Sequence, residues 1–259
     1  MKYFFLSYVL LAAGILGVAL SGVAVAAEPG AGTAPVLRVG VSPQSPPMIF
    51  KEGKNLAGVE VDFAQALGKE LGRQIQFVEL PWEELINSLV EGKIDMIMSS
   101  MSVTRARESR VAFCDPYLRI GQTALVRAED RYRFILLEGA LAKRTIGVKK
   151  GTTADLLVQQ EFPNAKRKYF KSADDGARAL TKKQIDMFIT DSTVVSYLEG
   201  MYETKSLVKA PMVFSDEVLA WAVRRSDEPL RDAINAFLKK GRENGELTRI
   251  LKRWIPRLQ

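Results

Sequence analysis

The chain has 259 residues, with 37 Lys plus Arg and 30 Asp plus Glu, and a formal charge of +7. It has no histidine and a single cysteine, Cys114, which excludes histidine-dependent triads, imidazole zinc sites, intrachain disulfides and cysteine metal clusters. Hydrophobic residues make up 47% and charged residues 26%, the proportions of a globular protein. Catalysis would therefore have to rely on carboxylates, Lys, Tyr, Ser or Thr.

Residues 1–26 have the layout of a secretory signal peptide. One lysine precedes an apolar stretch that reaches Leu20, and the small-residue sequence Ala24-Val25-Ala26 follows it. A single membrane anchor is the alternative, because the stretch approaches the length of a membrane span. We expect cleavage near Ala26 and a periplasmic location, with residues 27–36 as a flexible lead-in rich in small and turn-forming residues.

Strands and helices alternate along the first part of the mature chain. Apolar alternation or short apolar runs predict strands at 37–41, 76–80 and 94–98. Helical spacing of apolar residues predicts helices at 61–71 and 82–90. This order is typical of a sheet with parallel strands and helices packed on its faces.

The same pattern then recurs. The sequence TIGV at 145–148 repeats RVGV at 38–41, and QIDMFI at 184–189 echoes KIDMIM at 93–98. Two matched pairs in the same order indicate two α/β lobes of similar plan. Coincidence is the alternative, because apolar strands that begin with Asp are common in α/β proteins.

Further strands are expected at 123–127 and near 219–223, followed by helices at 229–240 and 247–254. If these last helices return to the first lobe, two chain segments cross between the lobes. Such a crossing is a hinge, and the cleft between two hinged lobes is where a small ligand binds.

The predicted fold is therefore α/β, with two lobes joined by a two-segment hinge and a ligand cleft between them. The first lobe comprises residues 37–124 and 220–259, and the second lobe comprises residues 125–219.

Polar clusters follow several of the predicted strands, at 42–45, 99–107, 149–153 and 190–191. Ligands bind at the carboxyl ends of parallel strands, so these clusters are the candidate site. In the second cluster, Arg107 is suited to a carboxylate because its guanidinium donates two parallel hydrogen bonds. The alternative is a solvated surface charge.

Asp191 ends an apolar strand and is a candidate partner for an ammonium group. Its alternative role is to cap the helix that follows. The sequence Gly151-Thr152-Thr153 can expose backbone N–H groups at a helix start, where anions bind, although it too would serve as an ordinary cap. Trp82 stands at a strand-to-helix corner and could pack over a ligand or in the core.

Several short motifs match a known family in order and spacing, over about residues 37–254. They are LRVGV at 37–41, PP at 46–47, GVEVD at 58–62, PW at 81–82, GKID at 92–95, SVT at 102–104 with Arg107, FCDPY at 113–117, GV at 147–148 with GTT at 151–153, and Asp191. On these motifs the chain resembles the periplasmic solute-binding proteins of polar amino-acid ABC importers, solute-binding protein family 3. The resemblance implies a periplasmic-binding-protein-like fold.

The resemblance also implies a role for individual residues. Arg107 would bind the α-carboxylate of an amino acid, with support from the backbone N–H groups of Ser102 and Thr153. Asp191 would bind the α-ammonium group, together with the backbone carbonyl of Ser100. An aromatic wall and neighbouring polar positions complete the predicted ligand-binding set, namely Trp82, Ser99, Thr152 and Ser45.

The same resemblance implies that the chain is a monomer that closes around a free amino acid and delivers it to an ABC permease in the inner membrane. It implies no cofactor and no metal. Some positions depart from the family pattern. Ser45 stands where an aromatic residue is frequent and Met48 where phenylalanine is frequent. Ser42 replaces an aspartate found in members that bind cationic side chains, which weakens lysine or arginine as the ligand.

Other functions remain open at this point. A related branch dehydrates cyclohexadienyl acids, such as arogenate, with a glutamate expected three residues after Asp191, where this chain has Val194. A ligand-sensing module would add a membrane span or a signalling domain after Trp254, and the sequence stops at Gln259. Nucleic-acid binding could use the basic runs 149–150 and 166–168, but an export signal argues against it and such runs are usually solvated surfaces.

Overall fold

The structure is a computed structural model that describes residues 34–133, 143–202 and 207–256. The predicted signal peptide and most of the predicted lead-in lie outside the described residues. Within the described ranges, no helix has both the length and the apolar character needed to cross a membrane.

The secondary structure follows the predicted alternation of strands and helices. The strands are β1 Val36–Val41, β2 Phe50–Glu52, β3 Asn55–Ala57, β4 Gln74–Glu79, β5 Met96–Ile97, β6 Ala112–Phe113, β7 Leu118–Ile120, β8 Gln122–Arg127, β9 Thr145–Val148, β10 Lys166–Tyr169, β11 Met187–Asp191, β12 Leu207–Val213, β13 Glu217–Leu219 and β14 Ala222–Val223. The α-helices are α1 Val59–Leu71, α2 Leu85–Val90, α3 Arg105–Glu108, α4 Thr153–Glu161, α5 Ala173–Thr181, α6 Ser192–Tyr202, α7 Glu228–Glu243 and α8 Glu246–Trp254.

Two five-stranded sheets of the same plan form the two lobes. In the first sheet the order is β4-β1-β5-β14-β6, and in the second it is β10-β9-β11-β8-β12. The first three strands of each order are parallel, and the two that follow pair in the antiparallel direction. The predicted α/β fold with two lobes is confirmed.

The repeated sequence motif has a common structural cause in both lobes. The backbone N–H of Arg38 donates to the Asp95 carboxylate at 2.9 Å, and the Asp95 N–H returns a bond of 2.8 Å to the Arg38 carbonyl. Thr145 and Asp186 exchange the same two bonds, both of 2.8 Å. Asp95 therefore ties the start of β5 to the neighbouring strand β1, and Asp186 ties the start of β11 to β9 in the same way.

The glycine of each repeat allows a close approach in the same place. A Cβ atom on Gly147 would lie 2.7 Å from Cδ1 of Ile185, and one on Gly40 would overlap Cδ1 of Ile94 even more closely. These isoleucines precede Asp186 and Asp95 in the sequence. The recurring Gly and Ile-Asp positions are thus one packing unit used twice.

The last two helices return to the first lobe. Phe237 of α7 stacks on Trp221 with ring centroids 6.2 Å apart, in the same core as Phe63 of α1. Trp254 of α8 donates from Nε1 to Asp62 of α1 at 2.8 Å. Cys114 lies buried in this core, and burial raises the pKa of its thiol to about 12, so it is an unreactive core residue.

Two chain segments connect the lobes side by side. Strands β7 and β13 form an antiparallel two-stranded pair. In the sequence, each of them lies between a strand of one large sheet and a strand of the other. Strand β8 pairs within the second sheet from Gln122 onward, so the lobe boundary expected at residue 124 divides that strand.

In the second lobe, α4 packs with one cluster of buried side chains and α5 and α6 with another.

Candidate functional site

All nine sequence-predicted ligand-binding residues line one cavity, to which both lobes contribute. The cavity encloses about 420 Å³ of space free of protein atoms, part of it open to solvent. Its lining consists of the nine predicted residues and three others: Ser45, Trp82, Ser99, Ser100, Ser102, Arg107, Thr152, Thr153 and Asp191, with Lys149, Ala154 and Thr190. The parallel strands therefore bring polar loops together as the sequence analysis expected.

Arg107 provides a cation on the first-lobe side of the cavity. It lies in the short helix α3, whose N-cap Thr104 accepts a bond from the Arg107 N–H at 3.3 Å. Its guanidinium donates to the Ser102 carbonyl at 2.7 Å and to the Gly151 carbonyl of the second lobe at 3.4 Å. Burial lowers the pKa of Arg107, and the charges of Asp191 and Glu217 oppose that shift.

Trp82 forms part of the cavity wall and also reaches the second lobe. It begins the 3₁₀ turn Trp82–Glu84, directly after Pro81. Its Nε1 donates to the Gly151 carbonyl at 3.1 Å. The Arg107 guanidinium lies 5.2 Å from the centre of its ring and the Lys149 ammonium nitrogen 5.4 Å, distances at which a cation is attracted to an indole.

Asp191 provides the carboxylate of the cavity. It ends β11 directly opposite Gln122 of β8, and Gln122 Nε2 donates to its Oδ1 at 2.7 Å. Burial raises the pKa of Asp191 to about 6, and the charge of Glu217 adds to the rise, whereas Gln122, Arg107 and Lys149 act against it. The Asp191 carboxylate is thus held by a hydrogen bond, and the positive charges near it only partly offset the effect of burial on its pKa.

Three serines of the segment from Ser99 to Ser102 line the cavity, namely Ser99, Ser100 and Ser102. The Ser99 hydroxyl accepts a bond from the Ser42 N–H at 2.9 Å. Ser100 adopts a left-handed backbone conformation with φ of 54°, which non-glycine residues rarely take. Its N–H donates to the buried carboxylate of Glu60 at 2.7 Å.

The buried Glu60 side chain stabilises this strained segment through its hydrogen bonds. Besides the Ser100 N–H, it accepts a bond from the Tyr117 hydroxyl at 2.7 Å and from Trp221 Nε1 at 2.9 Å. Burial raises the pKa of Glu60, and the three hydrogen bonds oppose the rise. Glu60 belongs to the motif GVEVD at 58–62, which by itself indicates no role for this residue.

Thr152 and Thr153 begin helix α4 at the cavity. Thr152 is the N-cap, since its hydroxyl accepts a bond from the Asp155 N–H at 3.4 Å, so the alternative capping role is present. Thr153 is the first helical residue, and the N–H group of that position has no acceptor within a helix. On the other side, Ser45 pairs with Ile49 through a backbone bond of 2.9 Å.

Two further side chains at the site were not in the predicted set. Lys149 lines the cavity and its ammonium group donates to the Ser42 hydroxyl at 3.3 Å. Burial lowers the pKa of Lys149 to about 8, against the charges of Glu83 and Asp191. Gln122 is fully buried beneath Asp191. Across the described ranges, no group of three or more His, Cys, Asp or Glu side chains could hold a metal ion.

Comparisons with known proteins identify what this chain is similar to. Residues 37–257 match the sequence pattern of the bacterial extracellular solute-binding proteins, family 3. The glutamine-binding protein GlnH of an ABC transporter of Bacillus subtilis is 28% identical over 203 residues, which cover 77% of this chain and 73% of that protein.

Two other similar proteins have names that point toward enzymes. A membrane-bound lytic murein transglycosylase F of Desulfosudis oleivorans is 31% identical over 220 residues, 80% of this chain but only 45% of that protein. The crystal structure of an ancestral amino acid-binding protein, AncCDT-1, described as a precursor of cyclohexadienyl dehydratase, superposes with a TM-score of 0.78 at 32% identity. That match covers 85% of this chain and 95% of the ancestral protein.

Proposed function

This chain belongs to the bacterial extracellular solute-binding proteins of family 3, and from that membership we propose that it is the substrate-binding component of an amino-acid ABC importer. It would be exported by the signal at residues 1–26 and act in the periplasm as a monomer. One observation carries the proposal. Arg107 and Asp191 line the same cavity, yet neither takes part in any ion pair among the described residues.

A free amino acid matches this arrangement of charges because it is a zwitterion. Its α-carboxylate would lie on Arg107, with the N–H groups of Ser102 and Thr153 as further donors. Its α-ammonium would lie on Asp191 and on the carbonyl of Ser100. Trp82 would cover the ligand as an aromatic wall, and the remaining predicted residues, Ser45, Ser99 and Thr152, would line the site.

Contacts between the lobes support closure around the ligand. Trp82 of the first lobe bonds to Gly151 of the second, and the Lys149 ammonium bonds to Ser42 of the first lobe at 3.3 Å. We place the hinge at the paired strands β7 and β13, where the chain crosses between the lobes. The ligand would stabilise the closed form through contacts that exist only when both lobes meet, and a permease in the inner membrane would recognise that form.

Binding without turnover is the function we favour over catalysis. Val194, three residues after Asp191, is buried in the second-lobe core at 1% exposure, so that position offers no acid for a dehydratase. Incubation with prephenate and arogenate should leave both compounds unchanged. Product formation above the buffer control would replace the binding function with an enzymatic one.

A screen of the twenty common amino acids by thermal shift, followed by calorimetry, tests the binding function. We expect at least one L-amino acid to bind, and Arg107→Ala to weaken its affinity by about 100-fold or more, because the α-carboxylate loses two charged hydrogen bonds. Arg105→Ala, two residues away at an exposed position, is the matched control and should retain affinity. Equal affinity of Arg107→Ala and the control would contradict the site assignment.

A further inference from the structure

The cavity contains one positive charge more than a zwitterion can use. Its charged lining residues are Arg107, Lys149 and Asp191. In the proposed function, Arg107 and Asp191 are taken by the α-carboxylate and the α-ammonium. Lys149 then stays in the closed site as a cation, and it belongs to no ion pair among the residues that the structure describes.

The surroundings of Lys149 keep its ammonium group at the cavity. The nitrogen lies 3.3 Å from the Ser42 hydroxyl and 5.4 Å from the centre of the Trp82 ring. Ser42 is 1% exposed, so this end of the lysine is shielded from water on that side. The charges of Glu83 and Asp191 also act on Lys149, but neither carboxylate forms an ion pair with it. The hydroxyl and the aromatic ring beside it are weak partners for a buried ammonium group, which is most stable next to an anion.

We propose that Lys149 is a specificity residue that selects amino acids whose side chain carries a second acidic group, such as L-glutamate or L-aspartate. The proposal rests on the amino-acid-binding function proposed above. A side-chain carboxylate would accept a charged hydrogen bond from the Lys149 ammonium, and the Ser42 hydroxyl could rotate to donate a second. The bound ligand, with one net negative charge, would balance the net positive charge of the three charged lining residues.

The same arrangement disfavours basic ligands. A lysine or arginine side chain would bring a third cation into a cavity that already holds Arg107 and Lys149. In a site shielded from water such like charges repel strongly. Ser42 cannot compensate for this, because a hydroxyl carries no negative charge.

Calorimetry on the full mature chain with L-glutamate, L-aspartate, L-glutamine and L-arginine tests the proposal. An acidic amino acid should bind at least about tenfold more tightly than L-glutamine or L-arginine, as expected for one charged hydrogen bond. Lys149→Met should reduce that preference to about threefold or less. Lys150→Met has the same net charge, and Lys150 is exposed, so this control should keep the preference.

The possible results distinguish a failure of this proposal from a failure of the amino-acid-binding function on which it rests. If L-glutamine or L-arginine binds the unmodified protein more tightly than either acidic amino acid, the selectivity assigned to Lys149 is wrong while the amino-acid-binding function stands. An acidic preference that persists in Lys149→Met also overturns it. If none of the twenty amino acids binds, the proposed function itself fails. A contrary ranking on the unmodified protein overturns the proposal even if the variant does not fold.

Discussion

Gln122 holds the carboxylate of Asp191 from the neighbouring antiparallel strand, through a hydrogen bond of 2.7 Å from Nε2 to Oδ1. Gln122 is fully buried, and the same nitrogen lies 3.1 Å from the Thr153 hydroxyl. Two residues of the candidate site on different elements are thus fixed by one amide. The bond also counteracts the effect of burial, which raises the pKa of Asp191 to about 6.

Gln122→Leu should raise the pKa of Asp191 further, because the carboxylate loses its donor. Binding of an α-ammonium requires the ionised form, so affinity should fall as the pH drops through about 6 in the unmodified protein, and at a higher pH in the variant. At pH 7 we expect a loss of about tenfold, measured by calorimetry between pH 5 and 9. Gln76→Leu, at an exposed strand position, is the control. An unshifted midpoint would show that Gln122 does not tune Asp191.

Asp191→Asn should stabilise the protein in the absence of ligand at neutral pH and above. The folded-state pKa of about 6 exceeds the ordinary value of 3.8, so the free energy of unfolding decreases as the pH rises from about 4 to about 6. Removal of the charge should therefore raise the free energy of unfolding by about 3 kcal/mol at pH 8, and by much less at pH 4.

Urea denaturation at both pH values measures this effect. Asp232→Asn, at an exposed position in α7, is the control and should change stability little at either pH. Asp191→Asn should also abolish the thermal shift produced by an amino acid with a free α-amine. A variant that is less stable than the unmodified protein at pH 8 would mean that the carboxylate supports the fold rather than the ligand.

Much of the fold is readable from the sequence because its two lobes repeat one local unit. Asp95 and Asp186 make the same pair of backbone bonds, and each follows an isoleucine that packs on a glycine of the neighbouring parallel strand. The strand expected near 219–223 is instead two strands, β13 and β14. The chain changes partners there, from β7 in the crossing to β5 in the first sheet, and a change of partner leaves no local pattern.

The candidate site is only partly readable, and the reason is distance along the chain. Polar residues after strands mark the loops that meet at the cavity, so all nine predicted residues lie there. The buried residues that hold these site residues in place have no such local pattern in the sequence. Glu60 reaches Ser100 across 40 positions and Gln122 reaches Asp191 across 69. Lys149 resembles any surface lysine until the fold places Ser42 beside it.

Glu60→Gln should destabilise the fold and weaken ligand binding together. The carboxylate accepts bonds from Ser100, Tyr117 and Trp221, and an amide NH₂ group would face one of these donors. We expect the free energy of unfolding to fall by about 2 kcal/mol, the typical result of a buried donor left without an acceptor. Glu52→Gln, at an exposed position, should have no such effect in the same urea titration.

The affinity of Glu60→Gln is the second readout. Ser100 keeps its left-handed conformation in part through the bond to Glu60, so its carbonyl should be less well placed for an α-ammonium group. A fall in stability without a fall in affinity would make Glu60 a core residue alone. Unchanged stability would instead contradict the role of the Glu60 carboxylate as acceptor for the Ser100, Tyr117 and Trp221 donors.

Trp82 should report ligand binding by its fluorescence. Its ring lies beside Arg107 and Lys149, so a carboxylate that binds there changes the electric field at the indole. Trp82→Phe keeps a ring but loses the Nε1 bond to Gly151 that joins the lobes. We expect the ligand-induced change to disappear and the affinity to fall by about three- to tenfold. Trp254→Phe loses a bond of 2.8 Å to Asp62 on the first-lobe helices and should retain both signal and affinity. A fluorescence change that survives Trp82→Phe would place the ligand away from this wall of the cavity.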